Sequence, residues 1–172
     1  LAGSRGSAAH GKQLFALAEL GPIYTRICNP TPHVLEYKIA ELEGAPCKAH
    51  GDCDNAATLP HALAVASGQS AQMHALMTIM SVGDNFVAAS ELYGGTYTQF
   101  KYSFKQLGIE VRFFNAAKPE EAAALIDENT KAIYIETISY PSAAVPDFDK
   151  IKPLAVENKG PIICDHTPAQ GR

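Results

Sequence analysis

Four short stretches of this chain carry the side chains best able to do chemistry, and each offers something different. Tyr24 and Arg26 stand two residues apart just ahead of Asn29-Pro30-Thr31. In an extended segment a phenol and a guanidinium at that spacing project to one side and can grip one anion together. Ser67-Gly68-Gln69-Ser70 is a small-residue turn leading into helical sequence. Unpaired backbone amides and the positive end of a helix dipole converge at such a turn, and small residues let a phosphate come close. Leu92-Tyr93-Gly94-Gly95-Thr96 couples an aromatic ring to two glycines, which suits a ring lying flat over a planar ligand. Asp165 ends the apolar run Ile162-Ile163-Cys164, and a carboxylate there beside a ring nitrogen would keep that nitrogen protonated and the ring an electron sink. Together the four describe a grip for a phosphorylated, nitrogen-containing planar ring.

Taken singly, each piece also has a plainer reading. Arg26 can pair with a surface carboxylate, Ser67 to Ser70 can be an ordinary strand-to-helix turn, Tyr93-Gly94-Gly95 can be purely structural, and Asp165 can cap the following turn through Thr167. Glu136 and Asp147 read as solvated or capping acids. Cys47, His50 and Cys53, with His61 as a fourth ligand, offer the donors zinc prefers. Their spacing fits no established finger, and Gly44, Pro46, Gly51, Asp52 and Asn55 mark a surface loop, so reduced, incidental thiols are the preferred reading and no metal is assigned.

Alternating strand and helix signals must position these groups. Val34, Leu35, Ile39 and Leu42 predict an amphipathic helix over 31–42, with Thr31 or Asn29 as cap and Gly44 as stop. Ala62 to Ala66 reads as a short strand, followed by a helix from Ser70 to about Met80. Next come a strand over 85–89, a helix from Tyr93 to Leu107 and a strand over 109–114. Lys118-Pro119-Glu120-Glu121 opens a helix that runs past Ile126 and ends at Thr130-Lys131. A strand over 132–136, a helix over 149–158 and a strand over 161–165 follow. This order predicts an α/β fold, a mostly parallel sheet with helices on both faces. Ligands then bind at the carboxyl ends of strands, where Ser67, Tyr93, Glu136 and Asp165 are expected.

Composition narrows the partners. A formal net charge of −4 offers no footprint for nucleic acid. No apolar run is long enough for a membrane span, and no secretion signal opens the chain, so a cytoplasmic protein with a single core is expected.

In order and separation, Ile23 to Thr31, Ala64 to Gln72, Leu92 to Tyr97, Thr130 to Glu136 and Val145 to Asp147 make the chain resemble the Cys/Met-metabolism family of pyridoxal-phosphate-dependent enzymes, of fold type I. The likeness runs from about Leu14 to the end and is strongest to the sulfhydrylase branch, which acts on O-acetylhomoserine. The resemblance implies a partial large domain of a fold type I transferase over 14–172, with residues 1–13 the remnant of an N-terminal arm. It implies pyridoxal 5′-phosphate as cofactor and γ-replacement on an amino-acid substrate, O-acetylhomoserine, with sulfide or a thiol to give homocysteine or a related product. Cystathionine γ-synthesis, methionine γ-lysis and cystathionine β-lysis are the alternatives within the family, and a non-catalytic truncated subunit is the alternative outside catalysis.

The resemblance also implies roles. Tyr24 and Arg26 reach the cofactor phosphate of a neighbouring subunit in a homodimer or homotetramer, while Ser67, Gly68 and Gln69 hold the phosphate of their own. Tyr93 stacks on the ring and assists proton transfer, Asp165 pairs with the pyridine nitrogen, and Thr167 lies beside it. The chain departs from the family pattern at four places. The family's Schiff-base lysine lies beyond the Asp165 strand and has no counterpart here, since Lys131, Lys150, Lys152 and Lys159 do not replace it. Tyr140 stands where relatives carry asparagine, and Asp165-His166-Thr167 stands where they carry Asp-Asn-Thr. An insertion spans Ala45 to Pro60, and the family's N-terminal segment and small domain have no counterpart.

Overall fold

A computed structural model of the chain describes residues 7–16, 18, 23–26, 29–44 and 62–169, and the chain divides between Val65 and Ala66 into two compact units. Cys28, the Cys47/His50/Cys53 loop with His61, and the insertion over 45–60 lie outside the described residues.

The first unit holds two helices. α1 (Ala8–Phe15) is capped by Ser7, whose hydroxyl accepts the His10 N–H at 3.2 Å. α2 (Pro30–Leu42) starts on a proline, which suits a position whose N–H has no helical acceptor. Asn29 Oδ1 caps it by accepting the Thr31 N–H at 2.9 Å, and Gly44, at φ +70°, lies just beyond its end. The apolar spacing predicts an inward face of Val34, Leu35, Ile39 and Leu42, and the structure inverts it. Val34, Leu35 and Leu42 are 70%, 54% and 68% exposed, while Glu36 and Ala40 are buried. Glu36 is held inside because its carboxylate accepts the Ala64 N–H at 2.8 Å. That bond also explains why Ala62 to Ala66 forms no strand, since the Ala64 amide is spent on a side chain and not on a ladder.

The second unit is built on four parallel strands: β1 (Asn85–Ala89), β2 (Glu110–Phe114), β3 (Thr130–Glu136) and β4 (Ile162–Asp165), in the spatial order β2-β1-β3-β4. Its helices are α3 (Gly68–Ile79), α4 (Gly94–Thr98), α5 (Glu120–Ala123) and α6 (Phe148–Asn158). From β1 the chain steps one way to β2, then returns past β1 to β3 and on to β4. Right-handed crossovers therefore put α4 on one face and α5 and α6 on the other. Side chains agree. Phe86 packs edge-on against Phe100 at 4.9 Å, and Tyr134, alongside Ala88 in the ladder, against the same ring at 4.7 Å. Arg112, which pairs with Val87 in register, donates on the opposite face to the Leu125 carbonyl just after α5. With both faces covered, every residue of β1 is buried.

Three elements differ from the sequence expectation. The helix after Tyr93 continues only in altered form, widening over Gln99–Phe104 into a π-helical stretch that places Phe100 and Phe104 both in the core. α5 is a single turn, and Thr130 and Lys131 open β3 instead of closing that helix. Thr130 is drawn into the strand because its hydroxyl donates to Asn85 Oδ1 at 2.7 Å from the paired position on β1.

Two polar clusters fasten the sheet. Near the amino ends of the strands, Asp127 accepts from Asn85 Nδ2 at 2.8 Å and from Arg112 Nη1 at 2.6 Å, and Arg112 also reaches Glu110. Hydrogen bonds from Asn85 first, then from Arg112, hold the Asp127 carboxyl well below the usual carboxylate range. Toward the carboxyl end, buried Gln72 joins α3 to the sheet and to α4. Its Oε1 accepts from Tyr134 Oη at 2.8 Å and from Thr96 Oγ1 at 3.3 Å, while its amide nitrogen donates to Gln69 Oε1 at 3.2 Å and to Gln99 Oε1. Gln69 Nε2 in turn donates to Thr96 Oγ1 at 3.1 Å. Burial pushes the Tyr134 phenol up, so it stays a donor. Among the described residues no helix is long and apolar enough to cross a membrane.

Each cluster yields an expected outcome. Tyr134→Phe removes the shorter of the two hydrogen bonds to Gln72 Oε1, leaving that from Thr96, and should lower unfolding free energy in urea by about 0.5–1.5 kcal/mol. For Asp127 the sign follows from a folded-state pKa that is depressed: its contribution is present above the unfolded value of about 3.9 and is lost as pH falls below it. Thermal midpoints recorded across the acid range should therefore fall less steeply in Asp127→Asn than in the parent, from a lower starting value at neutral pH.

Candidate functional site

The strand order reverses at the β1/β3 boundary, and in open parallel sheets the crevice outside the carboxyl ends at that boundary is where ligands bind. A cavity of about 470 Å³ lies there, lined by Ser67, Gly68, Gln69, Tyr93, Glu136, Tyr140, Asp165, Thr167 and Pro168. The two strands at the boundary, and β4 beside β3, each supply a residue at or just after the carboxyl end. Tyr93 follows β1, Glu136 closes β3, and Asp165 closes β4 beside Glu136 in register.

The start of α3 forms one wall. Ser67 is its cap, in extended backbone, and the Ser67 hydroxyl accepts the Ser70 N–H at 3.2 Å. Gly68 and Gln69 are the first two residues of the helix, and amides at that position have no acceptor within their own helix. A Cβ added at Gly68 would meet nothing within 4 Å. Ser67 itself does not end a strand; the helix start, not a strand, brings it to the cavity.

The second wall is aromatic. Tyr93 is half exposed and immediately precedes α4, and its ring occupies the place a Cβ at Gly95 would take, 2.6 Å from Tyr93 Cε1. A side chain at 95 would push that ring aside. Tyr140, from the loop after β3, brings its ring centroid to 6.5 Å from that of Tyr93 at 48°.

Two carboxylates form the floor, and they differ. Asp165 Oδ1 accepts from the Thr167 N–H at 3.0 Å and from the Thr167 hydroxyl at 2.6 Å. The capping reading of Asp165 is thus realised, on one oxygen only. Glu136, expected as a solvated or capping acid, is neither at the surface nor at a helix start: it is 4% exposed. Its Oε1 accepts the Tyr93 N–H at 2.7 Å and its Oε2 the Tyr140 N–H at 3.4 Å. Burial pushes the Glu136 carboxyl up, the two amide bonds oppose this, and the Asp165 charge adds to it. Asp147, by contrast, does cap α6, accepting the Lys150 N–H at 3.3 Å. Beside the floor His166 is engaged through Nδ1 with Thr137 Oγ1 at 2.7 Å.

Ser67, Gly68, Gln69, Tyr93, Asp165 and Thr167 therefore share one cavity, and Glu136 and Tyr140 join them. The signal for Glu136 was present, since it ends an apolar strand as Asp165 does. Tyr24 and Arg26 belong to the first unit. Thr25 and Arg26 form a turn, not an extended run, and the two side chains meet directly, with Arg26 Nη2 donating to Tyr24 Oη and the guanidinium 5.2 Å from the ring centroid. Tyr24 also stacks on Phe15 at 6.4 Å.

The chain is 47% identical to the homocysteine/cysteine synthase of Saccharomyces cerevisiae over 162 residues, which is 94% of this chain and 33% of that protein. It is 44% identical to O-acetyl-L-homoserine sulfhydrylase 1 of Thermus thermophilus over 166 residues, 96% of this chain and 36% of that one. A crystal structure of a Campylobacter jejuni protein described as an O-acetylhomoserine (thiol)-lyase, carrying pyridoxyl-lysine monophosphate, superposes with a TM-score of 0.80 at 35% identity, over 95% of this chain and 37% of the other. The chain spans about a third of the length of the curated relatives it matches. Residues 6–171 match the sequence profile of the Cys/Met metabolism PLP-dependent enzymes, and the chain belongs to that family.

Proposed function

We propose that the cavity binds pyridoxal 5′-phosphate, as part of an enzyme that replaces the acetoxy group of O-acetylhomoserine with sulfide or a thiol. The observation that carries this reading is the polarity of one cavity: a Ser67-capped helix start at one side, an aromatic wall, and a strand-end carboxylate in its floor. When bound, the cofactor supplies an electron sink for charge developing at an amino-acid carbon. The chain's own residues bind and orient it. The Gly68 and Gln69 amides take the phosphate, with the α3 dipole behind them and Ser67 holding the turn. Tyr93 covers the ring face and places a phenol where a proton can pass to a leaving group. Asp165 Oδ2, left open because Thr167 engages only Oδ1, keeps the ring nitrogen protonated.

The named relatives support the substrate, since synthases and sulfhydrylases of this kind match at 44–47% identity. Residues 14–172 then form part of the cofactor-binding domain, and 1–13 the end of an arm. Tyr24 and Arg26 serve the phosphate in a neighbouring subunit, and the exposed Val34, Leu35 and Leu42 on the next helix give that assembly an apolar surface to bury.

Titrating the 172-residue chain with pyridoxal phosphate should show saturable, one-to-one binding in the visible spectrum. No lysine lines the cavity among the described residues, so borohydride should fix no adduct at any single lysine. Asp165→Asn should weaken this binding by about 1.5–3 kcal/mol, the scale of a hydrogen bond to a charged group. Unaltered affinity would remove Asp165 from the site. In the intact enzyme, Arg26→Ala should cost cofactor retention by about the same amount, measured as loss of bound cofactor on dialysis, and mixing with wild-type subunits should restore part of it.

A further inference from the structure

Glu136 is the buried charge that the proposed chemistry does not use. No lysine, arginine or histidine lines its cavity among the described residues. A carboxylate taken out of water is costly unless it is hydrogen-bonded, and its neighbour in the ladder, Asp165, carries the same charge. The donors it has are two backbone amides, those of Tyr93 and Tyr140. These belong to different loops, one after β1 and one after β3, and to the two residues whose rings form the aromatic wall. Tyr93 has no side-chain cap at its helix start, so this bond is what ties its backbone to the sheet. Gly95 then leaves room for the ring on the other side.

We infer that Glu136 is a positioning residue: by holding the Tyr93 and Tyr140 amides at the end of β3, it sets both rings against a planar ligand and makes Tyr140 a second aromatic wall. It acts through geometry and not as a second negative charge beside the ring nitrogen. This rests on the cofactor reading above and extends it to two residues outside that reading.

The test uses the 172-residue chain and pyridoxine 5′-phosphate, which has the ring and phosphate but no aldehyde to react with surface lysines. Affinity by equilibrium dialysis and the near-ultraviolet circular dichroism of the bound pyridine ring are compared in Glu136→Gln and Glu136→Asp. Gln keeps an acceptor oxygen at full reach for the Tyr93 amide and gives up the charge together with the longer, weaker 3.4 Å bond from the Tyr140 amide, whereas Asp keeps the charge one methylene short of both amides. Expected is a bound-ring signal retained in Glu136→Gln with affinity within about threefold, and lost in Glu136→Asp with affinity down about tenfold, the scale of one hydrogen bond. Rescue by Glu136→Asp alone, loss in both variants, or loss in neither overturns the inference. If the parent chain does not bind the probe, the cofactor reading fails instead. Amide exchange in the ligand-free chain then decides: faster exchange at Tyr93 and Tyr140 in Glu136→Asp sustains the positioning role, and unchanged exchange removes it.

Discussion

A parallel sheet covered on both faces leaves its polar chemistry one place to go, the ends of its strands. β1 is buried at every position, and β3 is buried at all but Lys131. Side chains from the middle of these strands are committed to packing: Phe86 to Phe100 and Phe104, Tyr134 to Phe100, Ile133 and Ile135 to the opposite layer. What can face a ligand is whatever stands where a strand stops. Because the order reverses between β1 and β3, the loops after these two strands part to opposite faces and leave a crevice. Tyr93, Glu136 and Asp165 are the residues at that edge, and the site follows from the topology before any of them is given a role.

The helix whose first residues, Gly68 and Gln69, line the cavity must be fixed relative to this edge, and apolar packing alone does not fix direction closely. Gln72 supplies the direction. It lies one turn into α3, buried, and bonds to Tyr134 on the sheet, to Thr96 on α4 and to Gln69 at the helix start. The wall made by Gly68 and Gln69 and the wall made by Tyr93 are therefore referred to one buried amide. Such a network is costly when any member is unpaired, and here no buried side-chain polar atom among the described residues lacks a partner. A satisfied polar core of this kind fixes where the walls stand as well as holding them together.

Much of this was legible in the residues, for reasons that can be named. The strands at 85–89 and 162–165 and the helix ending at Asn158 carry local signals, runs of apolar residues and an Asp147 cap, that agree with the tertiary outcome. Local propensity failed where a long-range bond decided. Thr130 reads as the end of a helix until Asn85 takes its hydroxyl, and Ala64 reads as strand until Glu36 takes its amide. α2 shows the same thing in reverse, since its apolar spacing describes a helix correctly but its buried acid turns the apolar side outward. At the site, Ser67 to Gln69, Tyr93 and Asp165 were visible because each is a distinctive local pattern. The position of Glu136 at a strand end was legible too, but its burial was not, because an acid there looks solvated until the two loops that donate to it are in place.

Glu136 and Asp165 show how two like residues in register can take different work from their surroundings. Both end a strand and both border the same cavity. Glu136 has each oxygen engaged by a backbone amide and is almost wholly buried, so its bonds are spent on the protein. Asp165 is more exposed and has both of its bonds on a single oxygen, from Thr167, so its second oxygen is available to a ligand while the first is held in place. Capping and ligand binding are thus not rival accounts of Asp165. The cap keeps the carboxylate from rotating away, and on the proposed cofactor reading that fixed orientation would let the remaining oxygen meet a ring nitrogen between the amides at the start of α3 and the two tyrosines.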